Sequence, residues 1–285
     1  MAQAGKVALV LAGGGSLGAV QVGMLRGLVE AGQSFDIVVG ASAGAINGAF
    51  FAGDPTLDGL TRLEAVWRGI SRRDVMPVTL QMLFNVMLRR DYLCDGRALR
   101  ALLARNLTYG GIENAKLSLH VMATDMLSGD EVALSRGPVI EAVQASAAIP
   151  GIYPPQRFDG RLLVDGGVAN NAPISTAVKL GARKIFVLPT GFACVPLSIG
   201  RGAAAKAMHA VNLLVSRQLV RDIERYSAAA EICVLPTLCP LEASSYDYSV
   251  CGTLIDRARA QVRDWIAHGG LDQRGVPQML HEHFH

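Results

Sequence analysis

An apolar run that breaks into glycines and then resumes with helical spacing occurs twice in the first fifty residues. No other feature constrains the fold as strongly. The first instance is Leu9 to Val20, "LVLAGGGSLGAV". The run to Leu11 reads as a buried strand, three glycines follow, and apolar residues then recur with a period near 3.6. The second is Asp36 to Ile46, "DIVVGASAGAI". Strand, glycine turn and helix form the unit from which parallel sheets are built, and such sheets bind ligands at the carboxyl ends of their strands.

Gly13-x-Gly15-x-x-Gly18 also fits the dinucleotide-binding fingerprint. That use requires an acidic residue at the end of the second strand to hold a ribose. Gly40 stands there, and Asp36 lies at the strand's other end. The loop is better suited to an oxyanion hole, with backbone N–H groups of Gly13, Gly14 and Gly15 directed at a substrate carbonyl. The attacking group would be Ser42, at the centre of Gly40-Ala41-Ser42-Ala43-Gly44. G-x-S-x-G between a strand and a helix is the nucleophile elbow, whose sharp turn requires small residues around the serine. Gly44 and Gly40 support the elbow, and Gly18 supports the glycine loop. The alternative is that Ser42 merely caps a close-packed helix.

A serine nucleophile needs a base, usually histidine. His120 lies inside an expected strand, His209 and His268 on helices, and His281, His283 and His285 in the tail. None is on a strand-end loop. Asp165 in "LLVDGG" is a carboxylate at a strand end, with Gly166 and Gly167 behind it. It serves either as a base or as an Asx turn capping the next element.

The periodicity predicts further strands at 116–125, 130–135, 161–167, 183–189 and 230–236. Helices are expected at 57–70, 95–107 with Asp95 as N-cap, 138–149, 173–182 with Pro173 at the start, 201–226 and 253–270. The alternation implies a three-layer α/β/α sandwich with a mostly parallel central sheet. Apolar residues make up 51% of the 285 residues and charged ones only 18%, which suits such a core and argues against disorder. Without a repeat or low-complexity linker, one domain over 1–285 is expected: core motifs at 6–190, C-terminal helices and a strand at 201–270, and a tail at 271–285. A net charge of +3 is too small to point to nucleic acid. Five cysteines without a CxxC pair, and no secretory signal, lead to an expectation of reduced thiols in the cytoplasm. No apolar stretch is long enough to span a membrane.

Five segments, in order, resemble the patatin-like phospholipases, lipid acyl hydrolases of bacteria and plants. "GGGSLG" is similar to the family's oxyanion loop and "GASAG" to its elbow. "MATDMLSGD" resembles the strand and turn that follow, "ASAAIPGIYPP" the alanine-serine-to-proline segment, and "LVDGGVANNAP" the aspartate motif. The resemblance implies a patatin-like fold and a Ser42–Asp165 dyad. Asp165 takes the serine proton and later activates water, with no metal or cofactor. It also implies a lipid ester substrate of phospholipase A or lysophospholipase type. One departure is Leu17, where the family usually carries Lys or Arg. It turns the expectation toward neutral ester lipids.

Val75 to Leu93 is strongly apolar and ends in Arg89 and Arg90. It is expected to be either a core helix or a lid whose Met82, Phe84 and Met87 grip acyl chains or a lipid surface. A transient peripheral contact at the inner face of the membrane fits the second choice. Arg217, Arg221 and Arg225, spaced by four, are read as a solvated helix face. The alternating histidines of the tail are given no catalytic role. Two other functions are open on the same fold: a lipid-binding protein without turnover, and a transacylase passing the acyl group to an alcohol.

Overall fold

The computed structural model describes residues 5–77, 91–191, 202–239, 241, 243–277 and 280. Among these, eight strands form one sheet. They are β1 (Lys6–Leu11), β2 (Ile37–Ala41), β3 (Ser118–Asp125), β4 (Glu131–Leu134), β5 (Gln156–Phe158), β6 (Arg161–Asp165), β7 (Ala182–Leu188) and β8 (Glu231–Val234). The helices are α1 (Gly18–Glu30), α2 (Ala43–Gly53), α3 (Leu57–Gly69), α4 (Arg72–Val75), α5 (Arg97–Asn106), α6 (Val139–Ser146), α7 (Ile174–Lys179), α8 (Ala203–Tyr226) and α9 (Cys251–Ala267).

β8, β7, β1, β2 and β3 run parallel in that order. The side chains of β1 alternate between two cores. Leu9 and Leu11 join the larger one with α1, α2, α3, α5, α6 and α9. Ala8 and Val10 join the smaller one with α7 and the last turns of α8. The sandwich therefore has the layers that the sequence pattern implies.

The sheet is mostly parallel, as expected, and its antiparallel strands lie on one side. β4 pairs antiparallel with β3, β6 pairs antiparallel with β3, and β5 follows antiparallel on β6. β5 is three residues long, too short to show a period. β3 holds β4 along one edge, opposite Val121 to Thr124. On its other edge it holds β2 up to Met122 and β6 from Ala123 onward. Thus β2 and β6 meet end to end from opposite directions. Ala41 pairs with Met122 and Asp165 with Ala123, so the residue after Ala41 and Asp165 are brought face to face.

Two local expectations change. Gly96, at φ 78°, is the N-cap of α5, and Asp95 acts from one residue earlier, its Oδ1 accepting from Arg97 N–H at 3.0 Å. Cys94, Cys233 and Cys251 are free and buried, but Cys239 is disulfide-bonded, against the expectation of reduced thiols. Linear spacing does not show which cysteines a fold brings together.

Candidate active site

Ser42 sits between β2 and α2 with φ 54° and ψ −122°, a conformation that L-residues rarely adopt. The turn is tight enough to exclude side chains beside it. A Cβ on Gly40 would lie 2.4 Å from the Gly44 carbonyl oxygen, and one on Gly44 would lie 2.1 Å from that of Leu11. The Ser42 N–H donates to Ser146 Oγ at 2.9 Å, and Ser146 in turn donates to the Met122 carbonyl. The Ser42 hydroxyl makes no capping bond to α2. It donates to Asp165 Oδ2 at 2.6 Å.

Both side chains are buried. Loss of water pushes the Asp165 carboxyl up to about 6, against the opposing pull of hydrogen bonds from Ser42 and Gly167. Gly167 N–H donates to Oδ1 at 2.7 Å. The Asx turn is therefore present on one oxygen, Oδ1, while the other, Oδ2, lies within hydrogen-bond reach of the serine. Thr124 Oγ1 donates to the Asp165 carbonyl at 2.8 Å and fixes the backbone behind it.

The glycine loop lies against this pair. Gly13 differs from the expectation of three oxyanion donors, because its N–H is already donated to the Asn171 carbonyl at 3.1 Å. The Gly13 carbonyl is also held, by Thr190 Oγ1 at 2.7 Å and Asn171 Nδ2 at 3.3 Å. Gly14 and Gly15 N–H groups have no acceptor among the described residues. Gly15 takes φ 59°, and a Cβ there would lie 2.4 Å from the Ser245 carbonyl oxygen, which accepts from Ser16 N–H. Leu17 is buried in the larger core, so an apolar contact replaces the cation that the family usually carries.

A buried amide relay underlies the loop. Gln21 Nε2 donates to the carbonyls of Ala12 and Leu188, each at 2.8 Å. Asn47 Nδ2 donates to the Gly18 carbonyl and to Gln21 Oε1, each at 2.9 Å. Trp67 Nε1 donates to Asn47 Oδ1 at 2.7 Å. Trp67 also lines an apolar cleft that opens at Ser42 and Gly15, with Ile46, Val66, Leu99, Leu102 and Tyr153. The cleft encloses about 620 Å³ counted out to its open mouth. A more open groove at the opposite end of the sheet, lined by Arg183, Glu231 and Arg274, contains no residue of this set.

Sequence reasoning brought Ser42, Asp165 and the glycines together but missed Ser146, Asn171, Thr190, Gln21 and Asn47. Signals existed for some of them. Ser146 and Asn171 stand inside the quoted motifs, Asn47 is the lone polar side chain of α2, and Gln21 interrupts the apolar first turns of α1. Met82, Phe84 and Met87 lie outside the described residues, as do His281, His283 and His285. His120 is on β3 opposite Val39, well down the strand from Ser42, and His268 is exposed beyond the end of α9. Among the described residues no group of three His, Cys, Asp or Glu is placed to hold a metal ion.

The family model described as patatin-like phospholipase matches residues 9–178. The patatin-like phospholipase domain-containing protein 7 of Mus musculus is 31% identical over 187 residues, 65% of this chain and 14% of the mouse protein. An uncharacterized NTE family protein of Mycobacterium tuberculosis is 32% identical over 197 residues, 66% of this chain and 32% of that protein. The match thus spans a third or less of either relative. The crystal structure of VipD from Legionella pneumophila shares the fold, with a TM-score of 0.53 and 13% identity, over 94% of this chain and 67% of VipD.

Proposed function

We propose that this chain, which belongs to the patatin-like phospholipase family, is a serine hydrolase that cleaves carboxylic ester bonds of lipids. The observation that carries the reading is the 2.6 Å hydrogen bond from Ser42 Oγ to a buried Asp165 at a strained turn. The substrate is of the phospholipase A or lysophospholipase type, with neutral ester lipids favoured by Leu17.

In this mechanism Ser42 Oγ attacks the ester carbonyl while its proton passes to Asp165 Oδ2. The oxyanion accepts from the N–H groups of Gly14 and Gly15, whose directions are fixed before substrate arrives by the pinned Gly13 and the amide relay. Asp165 returns the proton to the departing alkoxide, leaving an acyl ester on Ser42. It then takes a proton from water as that water attacks the ester, and passes the proton to Ser42 Oγ as the acyl–oxygen bond breaks and the acid leaves. A base with a pKa near 6 is charged at neutral pH yet returns its proton readily. The apolar cleft at Ser42 suits an acyl chain. The reading takes the chain as one domain over 1–285, in transient peripheral contact with lipid. Among the described residues no helix is long and apolar enough to cross a membrane.

Intact mass after treatment with a fluorophosphonate tests this. Wild type is expected to gain one adduct, Ser42→Ala none, and Asp165→Asn an adduct only slowly. A folded wild-type protein that stays unmodified in the presence of detergent or lipid would overturn the reading and favour a lipid-binding protein without turnover.

A further inference from the structure

Seven large apolar side chains are exposed among the described residues, and their placement is uneven. Six lie at the end of the sheet where Ser42 opens: Met126, Leu127, Val168, Val211, Leu213 and Leu214. The seventh, Leu57, starts α3 at the opposite end. Single exposed leucines are ordinary, whereas a set gathered on one face marks an interaction surface.

The six sit on three elements tied to one another. The turn after β3 is closed by Asp125 Oδ1, which accepts from the N–H groups of Leu127 and Ser128. It presents Leu127 with 87% of its surface exposed. One residue before Asp125, Thr124 Oγ1 accepts from Ala169 N–H at 3.1 Å, beside Val168. Gln218 of α8 donates to the Ala169 carbonyl at 3.0 Å. Val211 and Leu214 precede Gln218 by seven and four residues, on the same stripe of α8.

Helix α8 leaves the body here. Leu219 and Ile223 are buried, but Asn212, seven and eleven residues earlier on their stripe, is exposed. All four residues from 211 to 214 are exposed. The helix has 24 residues, about 36 Å at 1.5 Å per residue, so its first half projects past the strand ends. That half is also of one charge. From Ala203 to Leu214 the sequence holds Lys206 and no Asp or Glu. Apolar and basic residues together on a helix too polar to cross a bilayer suit one that lies in an anionic lipid surface.

We infer that the projecting half of α8, with Val168 and the Met126–Leu127 turn, docks the protein on an anionic bilayer, with Ser42 facing the lipid. The inference rests on the lipid-ester reading for its purpose and on the exposed side chains for its place.

The test is co-sedimentation with vesicles of phosphatidylcholine alone or with 30 mol% phosphatidylglycerol, alongside turnover of a water-soluble short-chain ester. Wild type and Ser42→Ala are expected to bind the anionic vesicles equally and the neutral ones more weakly. The double variant Leu213→Ser, Leu214→Ser should lose at least about tenfold in partitioning, since each buried methylene counts, and keep its soluble-ester turnover within about twofold. Equal binding by the double variant, or binding indifferent to anionic lipid, would overturn the docking surface. A wild-type protein that turns over the soluble ester but ignores vesicles would do the same and leave the catalytic reading standing. Vesicle binding without turnover would sink the catalytic reading alone.

Discussion

Asp165 is held in a state that its own fold disfavours. Burial raises its pKa from 3.8 to about 6, which corresponds to roughly 3 kcal/mol against the buried charge. The sign follows from proton uptake. Above pH 6 the carboxyl is ionised in both folded and unfolded chains, and the folded state carries the cost. As pH falls through about 6 toward 3.8, the folded carboxyl protonates first and the cost is relieved. Asp165→Asn should therefore lower kcat by about a thousandfold, yet raise stability at pH 7.5 by up to about 3 kcal/mol and much less at pH 4. Urea unfolding at the two pH values measures this. In the wild type, kcat/KM on a soluble ester should fall on the acid side with a single ionisation near pH 6. A flat profile from pH 5 to 8 would remove Asp165 from the role of base.

At the scale of elements, the site depends on chain segments being pinned, and this is where sequence and structure part. Strand–glycine–helix units are visible in sequence because steric demand selects the residues: nothing larger than glycine fits at 40 or 44. The antiparallel approach of β6 to β3 was not legible. Arg161 to Asp165 has the same apolar character in either direction, and strand direction is decided by tertiary pairing. The amide relay was hidden for another reason. Gln21 and Asn47 look like blemishes on apolar helices until their partners, far apart in sequence, are known. Asn47→Ala should leave the Trp67 indole N–H, the Gly18 carbonyl and the Gln21 amide each short of a partner. The cost expected is about 3 kcal/mol, read as a lowered melting temperature. Trp67→Phe removes one bond from the same chain and should cost about 1–2 kcal/mol. If Asn47→Ala unfolds no more easily than wild type, water has taken over the relay and the loop is pinned from elsewhere.

At the scale of the whole molecule, the cleft belongs to no single element. Its walls come from α2, α3 and α5, from the Tyr153 loop after α6, and from the segment at Ser245 to Tyr248 before α9. Ser42 lies at its mouth because the parallel strands end there, while the larger core continues beneath it. The same layer that buries Leu60, Leu63 and Trp67 thus leaves an apolar space beside Ser42, which on the proposed reading takes the acyl chain. Chain length should then be set by packing rather than by hydrogen bonds, and packing can be altered without touching the reacting atoms. Val66 is half-buried on α3 and lines the cleft, so a larger side chain there can fill the space without burying a polar group. For Val66→Trp, kcat/KM on a decanoate ester should fall by more than about tenfold, since each methylene kept out of an apolar site loses about 0.8 kcal/mol. Turnover of the acetate ester and the melting temperature should barely change. A proportional loss on both esters would mean that the substitution disturbs Ser42 itself. An unchanged ratio at full activity would place the acyl chain outside this cleft, on the surface where α8 projects.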